Sequence, residues 1–374
     1  MIANQRFPGR VRPDDKMLAP TLYAYDADEE LCRLFERVFG KPMGKTESLR
    51  HFKWEYYFNP AGKAIVYVIR NEEGQIVSAY PTMPLKVKFM SGIVRASLSF
   101  DSMTLPEYKG RGLFTTLGRA LYQYLGKSGY VLTYGFPNGN IQNLRVNQLQ
   151  WFEVGDFPLL MKVIDCTPLL SRIFPRRVPA KIIGSVVNKI INLFWRNPER
   201  KKEDLTVEVL RNFDDEFEDF WKKARSYFSI CIERDVIYLR WRYGKPEEEY
   251  KILKIAHQGI MVGYAVLKTE MRFNLKTGYI MDFIVCPKND YINELLSAIV
   301  MGFQKEKVDL ISALLMKNNP YYKIFRKYGF LLVPRRFHPQ EIHFSARINV
   351  ENRHVIEIRD SRNWFISWGD TDLL

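Results

Sequence analysis

Pro106-Glu107-Tyr108-Lys109-Gly110-Arg111-Gly112-Leu113-Phe114-Thr115 is the stretch on which the reading of this 374-residue chain turns. Upstream, Ile93 to Leu105 is rich in β-branched and apolar residues and reads as a strand. Downstream, Phe114, Leu117, Leu121 and Tyr124 recur at helical spacing. Two glycines around an arginine let the backbone turn tightly and leave N–H groups unpaired at a helix N-terminus. With Lys109 and Arg111 beside them, those amides form an anion site suited to linked phosphates. The spacing lacks the Gly-Lys-Ser/Thr of a Walker loop. Thr115 stands where a dinucleotide fingerprint needs its third glycine or alanine.

Working outward, the chain repeats itself. Ser48 to Pro60, containing Trp54, parallels Asp235 to Pro246, containing Trp241. An acidic helix candidate precedes each tryptophan, over Asp26–Phe39 and Phe213–Tyr227. A hairpin follows each: 64–69 with 75–80 around a turn at Asn71 to Gly74, and 250–256 with 260–268 around His257 to Gly259. Each copy then runs into a longer strand ending at a proline (93–106; 277–287). Next come a helix, a strand (130–135; 310–315), a second helix, and a closing strand near Phe152 or Phe330. This order predicts an α+β fold written twice, each copy a mixed, mostly antiparallel sheet flanked by helices. The second copy is degenerate: after Pro287 it reads Lys288-Asn289-Asp290, with no glycine and an acid where phosphate would lie.

The glycine loop resembles the acyl-CoA loop of the GNAT acetyltransferase superfamily, Arg/Gln-x-x-Gly-x-Gly/Ala after a strand. Gly112 matches, Lys109 keeps the charge, and Phe114 departs from the last position. Tyr134 to Asn138, Trp151 to Gly155, Arg234 to Tyr243 and Trp368 to Asp372 look like a two-domain bacterial subgroup with tandem GNAT-like folds. The resemblance implies an acyl-CoA-binding domain over 1–166, a basic connector over 167–205, and a second GNAT-like domain over 206–374 on the acceptor side. It implies acetyl-CoA, or another acyl-CoA, as co-substrate. The diphosphate would lie on Lys109, Gly110, Arg111, Gly112, Leu113, Phe114 and Thr115. The pantetheine arm would lie along Met103, Thr104 and Leu105, with a backbone N–H near Leu105 polarising the thioester carbonyl. Asn138 would bond the cofactor arm or cap a helix.

The acceptor amine must lose a proton, and Asp101 is the first choice of base, on the expectation that it shares a strand face with Met103 and Leu105. The alternative is a buried carboxylate tied up by hydrogen bonds. Tyr134 is the nearest candidate to protonate the leaving thiolate, though a tyrosine at a strand end is more often part of the core. The expected reaction is transfer of an acetyl or other acyl group to an amine, an amino sugar of cell-surface polysaccharide synthesis by analogy. A Fem-like aminoacyl or long-chain acyl transferase and a non-catalytic binding protein of the same fold are the alternatives.

Bulk properties set the outer limits. Hydrophobic residues make up 47% and aromatics 14%, a composition for well-packed domains. Cys32, Cys166, Cys231 and Cys286 are scattered without metal-ligand spacing, so no metal is expected and a reducing cytoplasm fits. The net charge of +14 concentrates in one place: residues 167–202 hold nine basic residues against one acid. Within them, Lys181 to Arg196 reads as an amphipathic helix, with Phe194 and Trp195 on its apolar face. Packing against a domain and a peripheral foot on anionic lipid through residues 172–202, at the inner face of the membrane, are the two readings. Nucleic acid is disfavoured, because the basic residues lack interleaved aromatics and no reading motif accompanies them.

Overall fold

The computed structural model describes residues 19–40, 46–173, 204–338, 341–350 and 355–373. The first copy runs β1 (Thr21–Leu22), α1 (Asp28–Phe39), α2 (Thr46–Tyr56), β2 (Ile65–Arg70), β3 (Ile76–Phe89), β4 (Gly92–Ser99), β5 (Met103–Thr104), α3 (Leu113–Lys127), β6 (Tyr130–Gly135), α4 (Gly139–Leu149), β7 (Phe152–Gly155) and β8 (Leu159–Val163). A short α5 (Thr167–Ile173) follows. The second copy runs β9 (Leu205–Leu210), α6 (Asp215–Ala224), β10 (Ile230–Ile232), α7 (Val236–Arg242), β11 (Lys251–His257), β12 (Ile260–Arg272), β13 (Leu275–Val285), α8 (Asn289–Lys305), β14 (Leu310–Leu314), α9 (Tyr322–Lys327), β15 (Leu331–Leu332) and β16 (Phe344–Ile348), then α10 (Val355–Arg359). The amphipathic stretch Lys181 to Arg196 lies outside the described residues.

Local chemistry explains the helix ends. Helix α1 opens with Asp28, Glu29 and Glu30 against the positive end of its dipole and stops at Gly40, left-handed at φ +68°, whose N–H bonds the Glu36 carbonyl. In α6 the Asp214 carboxylate caps the Glu216 N–H at 3.1 Å, and Lys222 and Lys223 close the last turn. Both helices bury an apolar stripe, Leu31 and Leu34 in one, Phe217, Phe220 and Trp221 in the other.

Two sheets result, ordered β1-β2-β3-β4-β6-β16-β7 and β15-β8-β14-β13-β12-β11-β9. Among the named strand pairs, only β4 with β6 and β13 with β14 are parallel. Each sheet contains a strand from the other half of the chain. Strand β8, at the end of the first copy, pairs with β14 and β15, and β16, at the end of the second, pairs with β6 and β7. Strand β10 also crosses, onto β3. The sheets therefore do not part at one point in the chain, and separating the copies would break both ladders.

The copies meet at the repeated tryptophans. Trp54 Nε1 donates to the Trp241 carbonyl at 2.7 Å, Trp241 Nε1 donates to the Trp54 carbonyl at 3.0 Å, and the rings stack 5.0 Å apart. Reciprocal contacts of this kind are the mark of an isologous interface, here made within one chain. Beside it Arg234, 1% exposed, bonds Asp282 at 2.9 Å and Asp370 at 2.7 Å. Removing one partner of a buried pair like this costs about 3–5 kcal/mol.

Candidate active site

The glycine loop sits where expected, between β5 and α3, after one turn of 3-10 helix at Pro106–Tyr108. Gly110 and Gly112 are left-handed, at φ +79° and +77°. A Cβ on either would meet no atom within 4 Å, so the backbone conformation, not crowding, requires glycine. Among the described residues, no recorded hydrogen bond runs from the backbone N–H of Gly112, Leu113, Phe114 or Thr115. The helix therefore presents uncovered amides at its positive end. Lys109 and Arg111 are exposed on the rim, and the Arg111 guanidinium lies 4.8 Å over the Tyr108 ring. Two side chains of the run turn inward instead: Phe114 stacks on Tyr80 at 4.9 Å, and the Thr115 hydroxyl donates to Gln148 at 3.1 Å. Their share in an anion site is limited to backbone N–H.

Strand geometry opens a notch beside the loop. Strand β4 stays paired with β6 as far as Leu98 opposite Tyr134. Strand β3 meets Ser99 opposite Thr82 but Met103 opposite Ala79, so one extra residue is inserted on the β4–β5 side. This is a β-bulge, with Asp101 left-handed at φ +38°. It leaves β5 paired to β3 alone among the described strands, and the sheet parts there.

The bulge corrects two expectations. Asp101 does not share a strand face with Met103 and Leu105, because the inserted residue breaks the alternation; Met103 and Leu105 are core side chains, 2% and 5% exposed, whereas Asp101 lines a cavity. Nor does the Leu105 N–H face the notch, since it donates to the Val77 carbonyl at 3.0 Å. N–H groups alternate sides along a ladder, so Thr104 is the residue whose N–H and C=O point into the notch. Its side-chain hydroxyl lies 2.7 Å from the Ser78 hydroxyl.

The second copy supports that assignment of direction. Cys286 N–H donates to Val262 as Leu105 does to Val77, and Val285 stands opposite Gly263 as Thr104 does opposite Ser78. The outward N–H and C=O of Val285 are both taken by one phenol: the Tyr321 hydroxyl accepts at 3.0 Å and donates at 2.7 Å. The slot that stands beside Thr104 is filled in the second copy by its own side chain.

The notch of the first copy gives onto a cavity of about 180 Å3 between the copies. Trp54 and Trp241 form part of its wall, and Glu55, Asp101, Asp372, Arg242 and Lys245 bring charge to it. Glu55 keeps 14% of its side chain exposed, and burial, with Asp101 nearby, holds its carboxyl well above the usual range. His51 Nε2 is 3.7 Å from Glu55. Asp372 is exposed to solvent but surrounded by the concave wall, and the partial loss of hydration there raises its carboxyl pKa, toward about 6. Lys245 is lowered by burial and by Arg242.

Asp372 is set in place by the segment before it. Arg242 donates to the Gly369 carbonyl at 2.7 Å and the Thr371 carbonyl at 3.2 Å, and Asp370 closes a capping box with Ser367. Tyr134 belongs to this clamp: its hydroxyl donates to the Asp370 carbonyl at 3.0 Å, and burial raises its pKa well above the usual value. Its proton is thus engaged by backbone. Asn138 caps α4, its Oδ1 accepting from the Ile141 N–H at 3.1 Å.

Sequence reasoning missed Glu55, Arg242, Lys245 and Asp372. The first three flank the repeated tryptophans, and charges beside a matched pair of core residues were a usable signal. For Asp372 the sequence held no chemical signal.

Part of the sequence and the fold as a whole are similar to known proteins. Residues 24–142 match the family described as Acetyltransferase (GNAT) domain. A GCN5-related N-acetyltransferase from Anabaena variabilis superposes with a TM-score of 0.62 at 12% identity, over 88% of this chain and 72% of that one. A protein of Enterococcus faecalis described as of unknown function, probable N-acyltransferase, gives 0.61 at 14% identity over the same shares. No curated protein matches the chain. Residues 24–142, in the first copy, therefore match a GNAT acetyltransferase domain, and the chain shares the fold of these GNAT-related structures. Among the described residues no helix is long and apolar enough to cross a membrane.

Proposed function

We propose that the protein transfers an acyl group, acetyl in the simplest case, from its CoA thioester to an amine. The observation that carries this is an uncovered helix N-terminus beside a strand notch that gives onto an acid-lined cavity. The diphosphate lies on the amides of Gly112 to Thr115, with Lys109 and Arg111 at the rim. The pantetheine arm bonds the N–H and C=O of Thr104, which brings the thioester toward Leu98 and Asp101.

The amine enters the cavity, where the carboxylates favour its ammonium form. Asp101 takes one proton. The neutral nitrogen attacks the thioester carbon, a C–N bond forms, the C–S bond breaks, CoA leaves as thiolate, and the nitrogen's second proton passes to that thiolate or to solvent, leaving the amide. A thiol with a pKa of about 8.5 leaves without a strong acid, so the engaged Tyr134 hydroxyl is not needed. An amino sugar is the acceptor that the family resemblance suggests.

Calorimetry with acetyl-CoA, followed by thiol release in a panel of amino sugars, polyamines and simple amines, tests the reading. Micromolar binding and amine-dependent release are expected. Absence of acetyl-CoA binding would end it.

A further inference from the structure

A second cavity, of about 90 Å3, lies against the second sheet. Its floor is one face of three neighbouring strands, with Leu159 and Met161 from β8, Thr277 and Tyr279 from β13, and Leu310 and Ser312 from β14. Trp368 walls it, and at its mouth stand Arg272 and Phe273, the latter 54% exposed. The lining is apolar where that of the first cavity is charged. It carries one unsatisfied polar atom: His338 Nε2 lies 3.0 Å from the Val333 carbonyl, and Nδ1 is buried with no partner among the described residues. An apolar hollow with one or two polar groups to fix orientation is the usual build of a small-molecule site.

The two cavities follow one another along the C-terminal segment. Trp368 lines the apolar one, Gly369 to Asp372 line the charged one, and Leu373 lines both. The clamp of Arg234 and Arg242 fixes that order. We infer that the acceptor is an amphiphilic amine. Its amino group lies among Asp101, Glu55 and Asp372, and its apolar portion passes Leu373 into the hollow under Trp368. The inference rests on the transfer reading only for the role of the amine; the paired cavities stand independently of it. An apolar chain in this hollow replaces missing dispersion contacts, which polyamines and bare sugars cannot do.

Calorimetry of n-butylamine, n-hexylamine and n-octylamine at saturating CoA reads this directly. Affinity should rise about fourfold per methylene until the hollow is full. Met161→Trp, which narrows the hollow, should leave butylamine affinity unchanged and remove the gain for octylamine. Leu275→Phe serves as a second filling variant should the first fail to fold. No dependence on chain length, or a dependence that both variants retain, would overturn the inference. If octylamine binds as expected but is not acylated from acetyl-CoA, the transfer reading fails and the site stands. If butylamine is acylated without any chain-length effect, the outcome is the reverse.

Discussion

The two copies carry an aspartate at the same place and use it in opposite ways. Asp101 lies three residues ahead of Thr104, and Asp282 three residues ahead of its counterpart Val285. Asp282 is 1% exposed and consumed by Arg234 and the Tyr264 hydroxyl. Asp101 lines the cavity between the copies instead. The strand slot follows the same division: it is plugged by Tyr321 in the second copy, and among the described residues no phenol bonds the Thr104 backbone in the first. One scaffold thus supports a site in one copy and a brace in the other. The backbone is shared, and a few side chains decide which it becomes.

The comparison can be broken from the first copy. Gly112→Asp forces a side chain into a left-handed position and sets a negative charge at the helix start, as Asp290 does in the second copy. Acetyl-CoA affinity should fall about a hundredfold or more, with no measurable heat at micromolar protein, while far-UV circular dichroism is retained. Asp101→Asn should keep acetyl-CoA binding within about twofold and lower kcat by about a hundredfold, the ordinary share of a general base. Wild-type turnover in that variant would assign the proton to another group, Asp372 first.

It can be sharpened from the second. Tyr321→Phe leaves the Val285 N–H and C=O buried and unpaired, so stability should drop by about 1–3 kcal/mol in urea unfolding, with acetyl-CoA affinity unchanged. A smaller effect concerns pH. Enclosure raises the Asp372 carboxyl from 3.8 to about 6, so between those values the folded state holds a proton that the unfolded chain has lost. The contribution of Asp372 to stability should therefore fall as pH rises from roughly 4 to 6, and Asp372→Asn should remove that contribution from the thermal-unfolding profile across the range. The smallest effect is expected at the basic connector, where serine at both Phe194 and Trp195 should weaken sedimentation with anionic liposomes. Equal sedimentation of the two proteins would remove the membrane foot.

Much of the fold was legible because its signals are local. Strand β6 occupies Tyr130–Gly135 as its apolar run predicts, and α6 is the Phe213–Tyr227 helix with its last three residues tightened into a 3-10 turn. The long strand ending at Pro106 was misread as continuous. A bulge of one residue has no composition of its own, and Asp101 gave the only hint. The exchange of β8 and β16 was invisible for another reason: both strands have ordinary closing-strand sequences, and nothing local says which sheet will take them.

The amino-acid sequence by itself determined the loop at Gly110 and Gly112, the doubling of the chain and the loss of the loop in its second half. These depend on backbone preferences and periodicities within a few residues. Tertiary structure alone decided that Glu55, Asp101 and Asp372 face one cavity, and that Trp54 and Trp241 lock together 187 residues apart. Such contacts form only once the copies have packed, when burial and neighbouring charge give each group its protonation state.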